Sequence, residues 1–130
     1  MHTTVGTVCF FIREDEVLLF QIQQPTGELH WNGIGGVVDP GETTTQALVR
    51  EISEETKLKV DEQDVIESKV VTIDRLDLHV FITKKWGGRL EIIDPTIKQF
   101  KWFKFSDVPY SKMHKGNDDW LPEVLDSARL

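Results

Sequence analysis

Three glutamates, Glu51, Glu54 and Glu55, stand at i, i+3 and i+4, the spacing that brings side chains to one face of a helix. Like charges so placed repel, at a cost of about 0.2–0.5 kcal/mol per pair on an exposed helix, so the cluster needs full solvation or cations. Carboxylate oxygens are the ligands taken by hard ions such as Mg²⁺ and Mn²⁺, which bridge phosphates and polarise water. The spacing therefore fits phosphoryl chemistry. It equally fits a solvated acidic helix face, and the three glutamates alone do not decide between the two.

The helix that must carry them is legible. From Thr43 the chain runs TTTQALVREISEET, with Ala47, Leu48 and Ile52 at helical spacing and a threonine available as N-cap. Ahead of it, Pro25, Gly27, Gly33, Gly35 and Gly36 mark a loop where backbone turns sharply or approaches something closely. Residues 4–12 (TVGTVCFFI) and 17–23 (VLLFQIQ) are β-branched and aromatic, with a charged turn between them, and read as a hairpin. Residues 65–73, 76–83 and 100–105 have strand composition, residues 86–89 (WGGR) read as a turn, and residues 118–129 as a closing helix. Strands on either side of a helix, without a regular βαβ rhythm, imply an α+β fold, a layered sandwich rather than a doubly wound sheet.

At 130 residues and 39% apolar content, the chain can bury one substantial core, and residues 1–130 read as a single domain. A formal charge of −7, from 22 acidic and 15 basic residues, argues against a protein that holds a nucleic-acid polymer through its phosphates. A small polyanion remains a fitting ligand if cations intervene. Cys9 is the only cysteine, which leaves no intrachain disulfide and fits a reducing cytoplasm. It reads as a small buried hydrophobe. No apolar run approaches a membrane span, and the N-terminus lacks a basic stretch before its apolar segment. The expectation is a soluble cytoplasmic protein without a membrane partner.

Residues 36–58, GVVDPGETTTQALVREISEETKL, resemble the Nudix box: a glycine, five residues, Glu, seven residues, Arg-Glu, an aliphatic, any residue, Glu-Glu. Gly36, Glu42, Arg50, Glu51, Ile52, Glu54, Glu55 and Leu58 fall in place. The resemblance implies a Nudix-type α/β/α sandwich with a mixed β-sheet. It also implies a metal-activated water that attacks a nucleotide diphosphate, with Mg²⁺, or Mn²⁺, as cofactor. In similar enzymes the Gly36 carbonyl and the carboxylates of Glu51, Glu54 and Glu55 hold the ions, and Glu42 and Arg50 form a supporting pair around them. Glu54 is the first candidate for the base, with Glu51 and Glu91 as alternatives. Lys57 departs from the pattern, standing where the family has a glycine. If it adopts the same left-handed backbone, it costs on the order of 1 kcal/mol.

The flanks bear on the substrate. Residues 31–36 (WNGIGG), 101–110 (KWFKFSDVPY) and 113–120 (MHKGNDDW) resemble the MutT-like branch, which acts on oxidised purine triphosphates such as 8-oxo-dGTP. Asn32 offers the donor and acceptor that reading a purine edge requires, or else caps its own turn. Asn117 stands where relatives place a carboxylate against the base, so a different or broader base preference is equally compatible. Trp31 and Trp102 wall a base pocket or pack the core. Glu91, just after the 86–89 turn, matches an extra metal-binding glutamate or is an exposed strand-end carboxylate. His79 lies in an alternating strand and reads as structural. Two alternatives stay open: hydrolysis of another nucleoside diphosphate derivative (ADP-ribose, a nucleotide sugar or a dinucleoside polyphosphate), and a Nudix domain that binds a nucleotide without cleaving it.

Overall fold

A computed structural model describes residues 3–129. Its core is made by the two runs that sequence composition marks as strands. Strand β1 (Thr4–Arg13) is continuously buried from Gly6 to Ile12, as a strand covered on both faces must be. Val8, Phe10 and Ile12 pack into one apolar cluster, and Cys9 and Phe11 into a second. Strand β2 (Glu16–Gln23) alternates in the same way, sending Val17 and Leu19 to the first cluster and Leu18 and Phe20 to the second. Phe10, Phe11 and Phe20 are fully buried, and each such side chain stabilises the fold by about 1.5–3 kcal/mol.

The two clusters need cover, and the two helices provide it. Helix α1 (Thr44–Thr56) sends Leu48 and Ile52 into the second cluster, and helix α2 (Asn117–Ser127) sends Trp120, Leu121, Val124 and Leu125 into the first. The sheet between them is mixed. Strand β5 (Leu76–Thr83) pairs with β1 in parallel, while β4 (Val65–Ile73) pairs with β5, and β6 (Ile97–Lys104) with β2, in antiparallel fashion. The arrangement is the expected α/β/α sandwich. Among the described residues no helix is long and apolar enough to cross a membrane.

The glycine-rich stretch read as a loop contains a further strand, β3 (Leu29–Asn32), antiparallel to the second half of β2. It is short and flanked by turn formers, so its composition hides it. Past its end, backbone pairs Ile34 with Cys9 and Val37 with Gly6, wedging the 33–37 segment beside β1. Strand β6 begins at Ile97, three residues before the sequence-based start. Cys9 is fully buried, and His79 on β5 pairs with Glu67 on β4.

Candidate active site

Helix α1 is fixed at its start by a reciprocal cap. The Thr43 hydroxyl accepts the N–H of Gln46 at 3.1 Å, and the Gln46 side-chain oxygen accepts the N–H of Thr43 at 3.0 Å, so two donors left over by helix geometry are satisfied. Its end is set by Lys57, which takes the left-handed conformation at φ 60°. With Ala47, Leu48, Ile52 and Thr56 buried beneath, the helix carries Arg50, Glu51, Glu54 and Glu55 along the side that meets the 33–42 loop.

The loop approaches β1 so closely that side chains are excluded. A Cβ on Gly35 would sit 2.8 Å from the Cα of Val8, and one on Gly36 would sit 2.6 Å from the carboxyl carbon of Glu51. Glycine at 36 thus leaves a cradle that the Glu51 carboxylate fills. The Gly36 carbonyl turns toward β1, where it accepts the Thr7 N–H at 2.8 Å and the Thr7 hydroxyl at 3.2 Å. The Gly35 carbonyl has no hydrogen-bond partner among the described residues.

Arg50 organises the charges. Its Nε and Nη2 donate to the two carboxylate oxygens of Glu42 at 2.7 and 2.9 Å, and its Nη1 donates to Glu51 at 3.0 Å and Glu54 at 3.3 Å. Asp39 lies 3.3 Å from the same guanidinium. Fork geometry of this kind is what guanidinium and carboxylate form best. It holds the Glu42 carboxyl down at about 2, helped by the N–H of Asp39. The same bonds, that from Glu42 foremost, hold the Arg50 proton more firmly than usual.

Glu55 is the odd member. One of its carboxylate oxygens, Oε2, is buried with no hydrogen-bond partner among the described residues. Burial, then the charges of Glu51, Asp94 and Glu54, push its carboxyl up to about 8. Glu55 lines a cleft of about 180 Å³ together with Gly33, Gly35, Asp94 and Thr96. The sequence marks Asp94 only through the Asp-Pro-Thr run in which it stands. Its Oδ1 accepts both the N–H of Thr96 at 2.8 Å and the Thr96 hydroxyl at 2.7 Å.

Among the described residues no three acidic, histidine or cysteine side chains converge in an arrangement that could hold an ion, and Glu51 and Glu54 are both engaged by Arg50. The donor set still suits a hard divalent cation. All its atoms are carboxylate or carbonyl oxygens, one buried carboxylate oxygen lacks a partner, and Gly36 leaves room for Glu51. Orphaned buried carboxylates are costly unless a cation or donor meets them.

The structure separates the remaining predicted residues. Glu91 lies on the long connection between β5 and β6, half-exposed, with Lys57 Nζ 3.1 Å from its Oε2. Asn32 accepts the N–H of Gly33 at 2.8 Å, the self-capping geometry, leaving its NH₂ without a partner among the described residues. Trp31 is buried in the α2-side core, edge-on to Phe103 at 5.0 Å. Asn117 opens α2 and is 3% exposed, and its side chain has no hydrogen-bond partner among the described residues. Trp102 stacks on Trp86 at 5.9 Å beneath the Arg13 guanidinium.

A family model, the NUDIX domain, matches residues 2–124. The oxidized purine nucleoside triphosphate hydrolase of Danio rerio is 31% identical over 128 residues, covering 95% of this chain and 81% of that protein. Among solved structures, the MutT NUDIX hydrolase of Burkholderia pseudomallei superposes with a TM-score of 0.79 at 22% identity, covering 96% of each chain. The mutator MutT protein of Bacillus halodurans does so with a TM-score of 0.74 at 25% identity, covering 98% of this chain and 85% of that one.

Proposed function

The chain belongs to the Nudix family and is a Nudix hydrolase, and from that premise we propose that it splits oxidised purine nucleoside triphosphates, 8-oxo-dGTP foremost, into monophosphate and pyrophosphate with Mg²⁺. The observation that carries the chemistry is the buried, partnerless oxygen of Glu55 beside the Glu51 carboxylate face of α1. A carboxylate pushed up to about 8 is not a stable anion by itself at neutral pH, and a divalent cation is what restores its charge.

Glu51, Glu54, Glu55 and a glycine carbonyl of the 33–37 loop are the groups that would hold the ion. Gly36 was expected from the sequence, but its carbonyl is spent on Thr7, which favours Gly35. An Mg²⁺ or Mn²⁺ ion held there would neutralise charge on the diphosphate and make a water at the site more acidic. Glu54, 59% exposed and bonded among the described residues only to Arg50, accepts the proton of the attacking water. Arg50 holds Glu51 and Glu54 in one orientation while Glu42 holds Arg50. Binding at the far end falls to the free NH₂ of Asn32 and the amide of Asn117. Together they give donors and acceptors for a purine edge, while Trp31 braces β3 from the core. The similarity to the Danio rerio hydrolase supports this substrate class. A cytoplasmic setting fits Cys9, whose thiol burial makes unreactive.

Pyrophosphate and phosphate release with Mg²⁺ should be measured on 8-oxo-dGTP, dGTP, the other triphosphates, ADP-ribose, a nucleotide sugar and a dinucleoside polyphosphate. A large kcat/KM preference for 8-oxo-dGTP is expected. Turnover confined to the last three substrates would move the protein to another nucleoside diphosphate derivative, and no turnover at all would contradict hydrolysis.

A further inference from the structure

The connection between β5 and β6, residues 84–96, is a strap fastened across the C-terminal end of α1. Lys59 and Gly87 exchange N–H to carbonyl bonds at 3.0 and 2.8 Å, Glu91 N–H donates to Thr56 O at 2.9 Å, and Ile93 N–H donates to Glu55 O at 3.0 Å. Glu55 and Thr56 carry two of the last helical carbonyls, which have no partner inside the helix, so the strap supplies donors that α1 lacks. The chain turns into this contact at Lys57, which holds a left-handed backbone that disfavours any residue with a Cβ. Gly88 passes over it so closely that a Cβ there would lie 3.1 Å from Lys57 O.

Turned back in this way, the Lys57 ammonium reaches Glu91 Oε2 at 3.1 Å. The two ends of the strap contact then differ in what they present. Glu91 is engaged by a cation, away from the cleft. Asp94 directly follows the Ile93 tie, lines the cleft with Glu55, and has one oxygen fixed by Thr96. Its other oxygen has no partner among the described residues.

We infer that the Lys57–Glu91 pair is a latch that holds the strap in place on α1, and that the strap carboxylate delivered beside Glu55 is Asp94 rather than Glu91. Lys57 and Glu91 are positioning residues, and the inference rests on the hydrolase reading of the α1 site. A glycine at 57 would make the turn with less strain but would hold nothing.

Amide hydrogen exchange on the ion-free protein reads the latch. Lys57→Gly and Glu91→Gln should each speed exchange at the Glu91 and Ile93 amides by about threefold, the size expected from a solvent-exposed ion pair. The melting temperature of Lys57→Gly should not fall below that of the wild type. The reversed pair, Lys57→Glu with Glu91→Lys, should restore protection. Mn²⁺ titration followed by electron paramagnetic resonance reads the delivery: Asp94→Asn should weaken binding by about tenfold, and Glu91→Gln by far less. Unchanged exchange in both single variants would overturn the latch. Asp94→Asn binding Mn²⁺ like the wild type, or Glu91→Gln losing as much as Asp94→Asn, would overturn the assignment of Asp94. A wild-type protein that binds no Mn²⁺ would instead refute the reading of the α1 site, and the exchange measurement would still decide the latch.

Discussion

Arg50 holds Glu42 by two parallel hydrogen bonds, Nε to Oε2 at 2.7 Å and Nη2 to Oε1 at 2.9 Å, and so ties the loop before α1 to the face that carries the glutamates. A lysine keeps the charge and loses the fork. Arg50→Lys should therefore retain the fold while kcat/KM falls by about 10–100-fold, the range for residues that orient metal ligands. Steady-state kinetics beside a thermal melt check this, and a melt that collapses in step with activity would make the fork merely structural. Glu42 itself, held at about 2 against 4.5, contributes stability that is present above the ordinary carboxylate range and lost as pH falls toward its folded value.

Glu55 has the opposite sign. Between 4.5 and about 8 the unfolded chain releases a proton that the folded, ion-free protein keeps, so stability falls as pH rises through that window and levels off above it. Glu55→Gln removes this component. In chelator, its melting temperature relative to the wild type should be higher near pH 8 than near pH 5, roughly the two ends of the linkage window. Parallel pH profiles for the two proteins would contradict the burial of a protonated Glu55.

Two adjacent glycines should respond differently to alanine. The Cβ of Gly36→Ala meets the mobile end of Glu51 at 2.6 Å, so Glu51 swings aside. Stability should drop by about 1 kcal/mol, the scale of one hydrogen bond, while turnover is lost. The Cβ of Gly35→Ala meets the backbone of Thr7 and Val8 and should cost about 1–3 kcal/mol or more. Denaturant melts of both variants distinguish the cases, and equal losses of stability would contradict the cradle.

Asn117 is 3% exposed, and its amide, unpartnered among the described residues, is not wholly shut off from solvent, which leaves it open to a base edge. Asn117→Leu should leave the melting temperature unchanged or raised, and should raise KM for 8-oxo-dGTP by about tenfold or more. An unmoved KM would remove Asn117 from base recognition.

Much of this site is legible in the sequence, because it depends on local signals. Thr43 caps α1, the period of Ala47, Leu48 and Ile52 sets its buried face, and β4 and β5 have the bounds their composition predicts. What depends on distant backbone is not legible. Strand β3 owes its existence to the free edge of β2 rather than to its own residues. The Gly36 carbonyl is turned by Thr7, 29 residues away in the chain. Asp94 and Glu91 lie three residues apart on one strap, and only the Lys57 side chain, held by an unfavourable backbone, shows which carboxylate is engaged elsewhere. Lys57 does adopt the left-handed conformation expected of the family's glycine.

Glu54 is the proposed base of a divalent-ion-dependent hydrolysis on α1. Pyrophosphate release from 8-oxo-dGTP should be compared between the wild type and Glu54→Gln at saturating Mg²⁺, with circular dichroism confirming an intact fold. The prediction is a loss in kcat of about a hundredfold or more. Turnover by Glu54→Gln at the wild-type rate would contradict it.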